Sequence, residues 1–129
     1  MKYAAALSLV VAGAAIGSAL THGLQAQGNA PAFSVSSIEV TDAAKYAPIQ
    51  QIIATENQKA GGKFLVRGGR VEGVDGAAPK RVIISQWNSI DDAKKFYNLA
   101  VIKKAFEDRK AYVKNSLTYI AEGTVEPVK

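Results

Sequence analysis

The sequence contains no cysteine, a single histidine (His22) and a single tryptophan (Trp87) among 129 residues. Without thiols there is no disulfide, no thiolate nucleophile and no anchor for a lipid at a lipobox. His22 lies in an N-terminal segment expected to be removed, so the remaining chain has neither histidine nor cysteine. That excludes Cys–His nucleophilic chemistry and the usual nitrogen and sulfur zinc sites, and it leaves no axial histidine for haem. No metal and no cofactor are expected. Internal repeats, low-complexity tracts and long single-sign charge runs are absent too. With 48% hydrophobic and 21% charged residues, the composition excludes disordered, collagenous and coiled-coil chains.

Acid is missing altogether from residues 1–26, whose one charge is Lys2. An apolar stretch of small and aliphatic residues runs from Tyr3 to Leu20, and Leu24-Gln25-Ala26 ends in the small residue that signal peptidase needs at the scissile bond. This reads as a Sec-type signal peptide cleaved after Ala26, giving a periplasmic or secreted bacterial protein. The other reading is an uncleaved anchor, because the apolar core reaches the lower limit for a spanning helix and Gly13 and Gly17 have helix-pairing spacing. A membrane enters only in that case. Residues 27–129 form a chain of 103 residues with formal charge +4, enough for one domain and too short for two.

Residues 27–32, with Gly28, Asn29 and Pro31, read as a flexible lead-in to a domain spanning 33–123, and 124–129 as a short tail. FSVSSIEV (33–40) alternates as a first strand, Phe33, Val35 and Ser37 facing one way and Ser34, Ser36 and Ile38 the other. Thr41 or Asp42 caps a helix carrying Tyr46, Ile49, Ile52, Ile53 and Ala60 at helical spacing, ended by Gly61-Gly62. Pro48 predicts that the first turn of this helix stands apart or that the helix kinks near Tyr46. KFLVR (63–67) is a second strand, with Phe64 and Val66 on one face and Leu65 and Arg67 on the other. Gly68-Gly69 suggests a bulge or a close backbone approach, residues 70–74 continue the strand, and 75–79 form a hairpin loop.

RVIISQW (81–87) is the densest β-branched segment and reads as a strand covered on both faces. Ser89 with Asp92 is a capping box for a helix whose inner stripe is Ala93, Phe96 and Tyr97. Residues 100–114 read as further helix, with Val101, Ala105, Phe106 and Val113 apolar, and SLTYIAEG (116–123) as the last strand. The order is β-α-β-β-α-(α)-β, an α+β chain with the ferredoxin-like arrangement of an antiparallel sheet. Such a sheet carries both helical layers on one face, and no strand face here is consistently polar. The uncovered apolar face predicts a homodimer packed sheet on sheet, enclosing a cavity for a small-molecule ligand.

Several stretches together resemble the DUF1330 family: KFLVRGG (63–69) after Gly61-Gly62, PKRVII (79–84), WNSIDDAKKFY (87–97) with Asn98, and the closing residues 119–123. This is a group of small bacterial domains of unknown function with a dimeric α+β barrel fold. The resemblance covers residues 33–123, and it implies the fold and the dimer without implying an activity. Arg67, Gly68, Gly69 and Arg109 match motif positions of the family. Its members typically carry Ser-Pro-x-Tyr after the position of Asn98, where this chain has Leu99, Ala100, Val101 and Ile102. The family's tyrosine hydroxyl is therefore absent.

Arg67, at a strand end beside Gly68-Gly69, can hold a ligand carboxylate bidentately or pair with Glu72 or another acid. Arg109 either points inward to converge with Arg67 or lies on the surface with its stem over the core. Glu72, Asp75 and Glu122 are candidate general bases if burial raises their pKa, and otherwise solvated strand-end acids. Trp87, Tyr97, Tyr119, Phe64 and Phe96 either line a pocket or simply form the core. Lys94-Lys95, Lys103-Lys104 and Arg109-Lys110 are spaced as solvated helix faces without aromatic interleaving, so no nucleic-acid partner is expected. Three readings remain: a dimeric module for a small anionic, partly apolar ligand; a cofactor-independent monooxygenase or isomerase, by analogy of fold; and a structural or stress protein without a ligand.

Overall fold

A computed structural model describes residues 30–124; the expected leader, nearly all of the tail and the start of the lead-in lie outside the described residues. The elements are β1 (Ala32–Val40), α1 (Ala43–Lys59), β2 (Lys63–Arg67), β3 (Arg81–Trp87), α2 (Ile90–Asn98), α3 (Ala100–Arg109) and β4 (Val113–Glu122). All strand pairs are antiparallel in the order β2-β3-β1-β4, which is the ferredoxin-like α+β topology.

The helices cover the sheet face that carries Ala32, Ser34 and Ile38 of β1 and Ser85 and Trp87 of β3. Two apolar clusters form there. Ala32, Trp87, Ala93, Phe96 and Ile102 make one, and Ile38, Tyr46 and Val113 the other. Along β1 the clusters are separated by Ser34 and Ser36, both on the helix-facing side. The core is thus divided by a level of small polar side chains, and the candidate site lies at that level.

Asp42 caps α1, its carboxylate accepting from the Lys45 amide at 3.1 Å. α1 begins at Ala43 and runs through Pro48, so its first turn does not stand apart. The proline removes the amide that would reach the Ala44 carbonyl. Both residues are exposed, so water can take that bond and the cost of an interior proline is reduced. The buried stripe is Tyr46, Ala54 and Asn57, flanked by Ile49 and Ile53. Ile52 is 44% exposed and Ala60 lies beyond the helix. Six residues from Tyr46 turn the helix by about 240°, which carries Ile52 off the buried face.

Two further expectations are corrected. Residues 68–80 form one exposed loop without strand structure in 70–74. Its glycines at 68, 69 and 76 adopt φ of 73°, 110° and 81°, values that break a strand. The third helix stops at Arg109 rather than continuing to 114, and Val113 opens β4 instead. That strand starts early because Asn115 takes φ of 52° in a bulge, so that Lys114 and Val113 still pair with Glu39 and Val40. The Asn115 side chain donates to the Glu39 carboxylate at 3.2 Å, which supports the left-handed turn.

As expected, Ser89 caps α2 by accepting from the Asp92 amide at 3.1 Å. Val82, Ile84, Phe33 and Val35 are half-buried on the opposite sheet face, where Leu117 is 58% and Tyr119 50% exposed.

Candidate functional site

At the serine level, between the sheet and all three helices, lies a cavity of about 50 Å³. That is space for a few waters, or for a carboxylate-sized group, on the criterion of about 10–15 Å³ per water. Arg67, Arg81 and Arg109 line it together with Tyr46, Tyr97, Asn57, three serines and the rings of Phe64, Phe96 and Phe106. Among the described residues, none of its lining is acidic.

Each arginine arrives by a different local device. A bulge at Leu65 makes Phe64 pair with Ser85 and Val66 with Ile84, so β2 advances two residues while β3 advances one. This shifts the alternation, placing Phe64 and Arg67 on the helix-facing side and Val66 on the open side. The sequence pattern had set Phe64 and Val66 together, with Arg67 opposite; the extra residue reverses that arrangement. Arg67 stands exposed at the rim, its guanidinium carbon 4.7 Å from the Phe64 ring centroid.

Arg81 opens β3 on the same side as Ile83, Ser85 and Trp87. Its guanidinium lies over Gly68, where an added Cβ would come within 3.3 Å of it. Arg81 Nε is buried and has no hydrogen-bond partner.

Arg109 closes the set from the last turn of α3, on the face of Ile102 and Ala105, and is only 6% exposed. Its guanidinium carbon sits 3.8 Å from the Phe106 ring centroid, and Nη2 donates to Thr118 Oγ1 at 3.5 Å. Burial holds the Arg109 guanidinium below the ordinary arginine value, opposed by the adjacent Tyr46 and, more weakly, by Tyr97. Burial pushes the Tyr97 hydroxyl above the usual tyrosine value, with the Ser34 hydroxyl and the Arg109 charge acting the other way.

Among the described residues, none of the ion pairs involves Arg67, Arg81 or Arg109. Glu72, weighed as a partner for Arg67, pairs instead with Arg70 at 2.9 Å on the surface. Asp75 and Glu122 are exposed, so none of the three candidate bases reaches the cavity. Of the other proposed site residues, Tyr97 lines it, whereas Trp87, Gly68 and Gly69 do not. Trp87 is core: 1% exposed, 5.0 Å from the Phe96 ring and donating Nε1 to Ser34 Oγ at 3.0 Å. Gly68 acts one step removed, by leaving room for Arg81.

Arg81, Tyr46, Asn57 and the serines were not singled out from the sequence. The available signal was parity: Arg81 shares alternation with Ser85 and Trp87, and serines on the inner side of β1 mark a polar seam. Asn57 donates to Ser85 Oγ at 3.1 Å, while its Oδ1 has no partner. Gly62 packs so closely beneath it that a Cβ there would lie 2.4 Å from that oxygen.

The profile of DUF1330, described as a domain of unknown function, matches residues 31–124. The chain belongs to the DUF1330 family. Among solved structures, the RPA0582 protein of unknown function from Rhodopseudomonas palustris is similar with TM-score 0.59 and 18% identity, over 77% of this chain and 85% of that one. A candidate antibiotic biosynthesis monooxygenase from Caulobacter crescentus CB15 gives TM-score 0.58 and 13% identity, over 75% and 92%. SnoaB, a cofactor-independent oxygenase from Streptomyces nogalater, gives 0.50 and 15%, over 77% and 96%. At these identities the likeness shows the shared fold. No curated protein matches the chain.

The departure from the DUF1330 Ser-Pro-x-Tyr pattern now has a structural position. Leu99 is the N-cap of α3 and provides no side-chain hydrogen bond; Ala100 is the first helical residue. Serine and proline suit those two places in general, so this member lacks both devices. Ile102, at the tyrosine's position, is 1% exposed in the larger core cluster.

Proposed function

We propose that this DUF1330 member is an exported binding module, acting as a homodimer, for a small anionic ligand with a partly apolar body. The carrying observation is a cavity lined by three arginines and no carboxylate. A guanidinium as buried as Arg109 ordinarily has a paired anion, because its desolvation is costly. Here a bound anion would supply that charge, and the planar fork of arginine suits a carboxylate. The surrounding phenylalanine and tyrosine rings suit an apolar body next to the charge. Self-association is supported by the open sheet face, where Leu117 and Tyr119 stand exposed beside half-buried Val82 and Ile84 among the described residues. Export rests on the apolar leader ending at Ala26.

The catalytic reading has less support. The cavity lining has no carboxylate or imidazole to serve as general base, which leaves tyrosine alone for proton transfer. Titration of the purified mature protein with acetate, benzoate and phosphate, followed by Trp87 fluorescence and calorimetry, tests the proposal. Saturable binding that Arg109→Gln abolishes is expected. Absence of binding by every anion at millimolar concentration would overturn it.

A further inference from the structure

The arginine cavity is not isolated. On the far side of Tyr97 and Phe106 lies a second depression between α3 and β4, about 580 Å³ in volume and lined also by Lys103, Thr118 and Ile120. Tyr97 and Phe106 line both spaces, their rings edge to face with centroids 5.7 Å apart. Thr118 borders the outer groove and accepts the hydrogen bond from Arg109. A single layer of side chains therefore separates the guanidinium from the groove. The inner space holds only a carboxylate-sized group, whereas the groove has the size of an ordinary small-molecule site. Phe106 and Ile120 are half-buried at its floor, and Lys103 at its edge is in no ion pair among the described residues.

We infer that the ligand is an elongated amphiphile whose carboxylate head lies against Arg109 and whose apolar tail parts the Tyr97–Phe106 contact to reach the groove beside Ile120. This rests on the anion-binding reading and adds the shape and chemical class of the ligand. Phe106 has a role on both sides, holding the arginine with its π face and offering apolar surface to the tail. The groove's rim, Lys103 and the mutually paired Glu107 and Lys110 over an aromatic and aliphatic floor, matches an apolar chain better than a second charged group.

The test is a series of straight-chain carboxylates, from acetate through butyrate and hexanoate to octanoate, titrated into the mature protein below their micellar concentrations. Affinity is expected to rise about fourfold per methylene once the tail enters the groove. Ile120→Ser should flatten that rise, and Arg109→Gln should weaken every member of the series. Should Ile120→Ser fail to fold, amide chemical shifts of the unaltered protein take its place: octanoate should perturb Lys103, Thr118 and Ile120 where acetate does not. Acetate binding with a flat or falling length dependence overturns the elongated ligand and leaves the anion site standing. No binding by any member overturns both. Binding of 1-octanol as tight as that of octanoate, or octanoate affinity untouched by Arg109→Gln, overturns the assignment of the head to Arg109.

Discussion

Replacing Arg109 by methionine should make the protein more stable while removing the proposed anion site. The guanidinium is 6% exposed and has no carboxylate partner among the described residues. Its favourable interactions include the 3.8 Å approach to Phe106, one 3.5 Å hydrogen bond to Thr118 and the adjacent Tyr46. A cation–π contact contributes about 0.5–2 kcal/mol, and a long hydrogen bond at most about 1 kcal/mol. Against these stands a desolvation cost of several kcal/mol for a buried ion. Methionine keeps an unbranched stem against the rings, so the net change should be a gain of about 1–2 kcal/mol. For a domain of this size that raises Tm by roughly 4–16 °C. Thermal and urea unfolding would be measured with and without acetate or benzoate. The unaltered protein should gain stability as anion is added, following binding linkage, and Arg109→Met should not respond. Destabilisation of Arg109→Met by more than about 1 kcal/mol, with no anion response in the parent, would show that the arginine is structural and refute the reasoning.

Leu99→Ser should restore the missing cap of α3 and add about 1 kcal/mol in urea unfolding; an unchanged midpoint would mean that the backbone there is fixed by other contacts. Gly68→Ala forces a left-handed residue and crowds the Arg81 guanidinium at 3.3 Å, so stability should fall by about 1–2 kcal/mol and anion affinity should fall with it. Gly62→Ala meets Asn57 and Trp87 at 2.4 and 2.8 Å; a loss of about 1–3 kcal/mol with a shift in Trp87 emission is expected, and a silent substitution would contradict this packing. Deleting Leu65 should remove the bulge yet keep Phe64 and Arg67 on the helix-facing side, opposite Ser85 and Ile83, so anion binding read by calorimetry should survive; its loss would show that the bulge itself is needed to place Arg67.

The fold was legible because its signals are local. β-branched RVIISQW, the Ser89–Asp92 cap and the alternation of 33–40 each name one element, and their order leaves few topologies. What escaped depended on register across strands. One unpaired residue at Leu65 reverses the side on which Arg67 lies, and no feature within KFLVR marks it. Arg109 was legible as a candidate through its spacing from Ala105, but its lack of an acid partner emerges only when α3 is docked on β4. That Pro48 does not set the first turn of α1 apart has a related reason: a proline weakens a helix less where the carbonyl it frees faces water, and that depends on which side of α1 the core takes.

Both bulges fall in β2 and β4, the two strands at the margins of the sheet. A regular margin would present an unbroken ladder of amides and carbonyls on which another chain could add a strand. Interrupted margins resist such growth. The sheet is therefore poorly suited to lengthening sideways into a fibre, and copies of this chain that hide Leu117 and Tyr119 must stack face against face. The homodimer proposed above, stacked that way, would close after two, and the irregularity in β2 that turns Arg67 to the helix side also helps limit how large the particle can become.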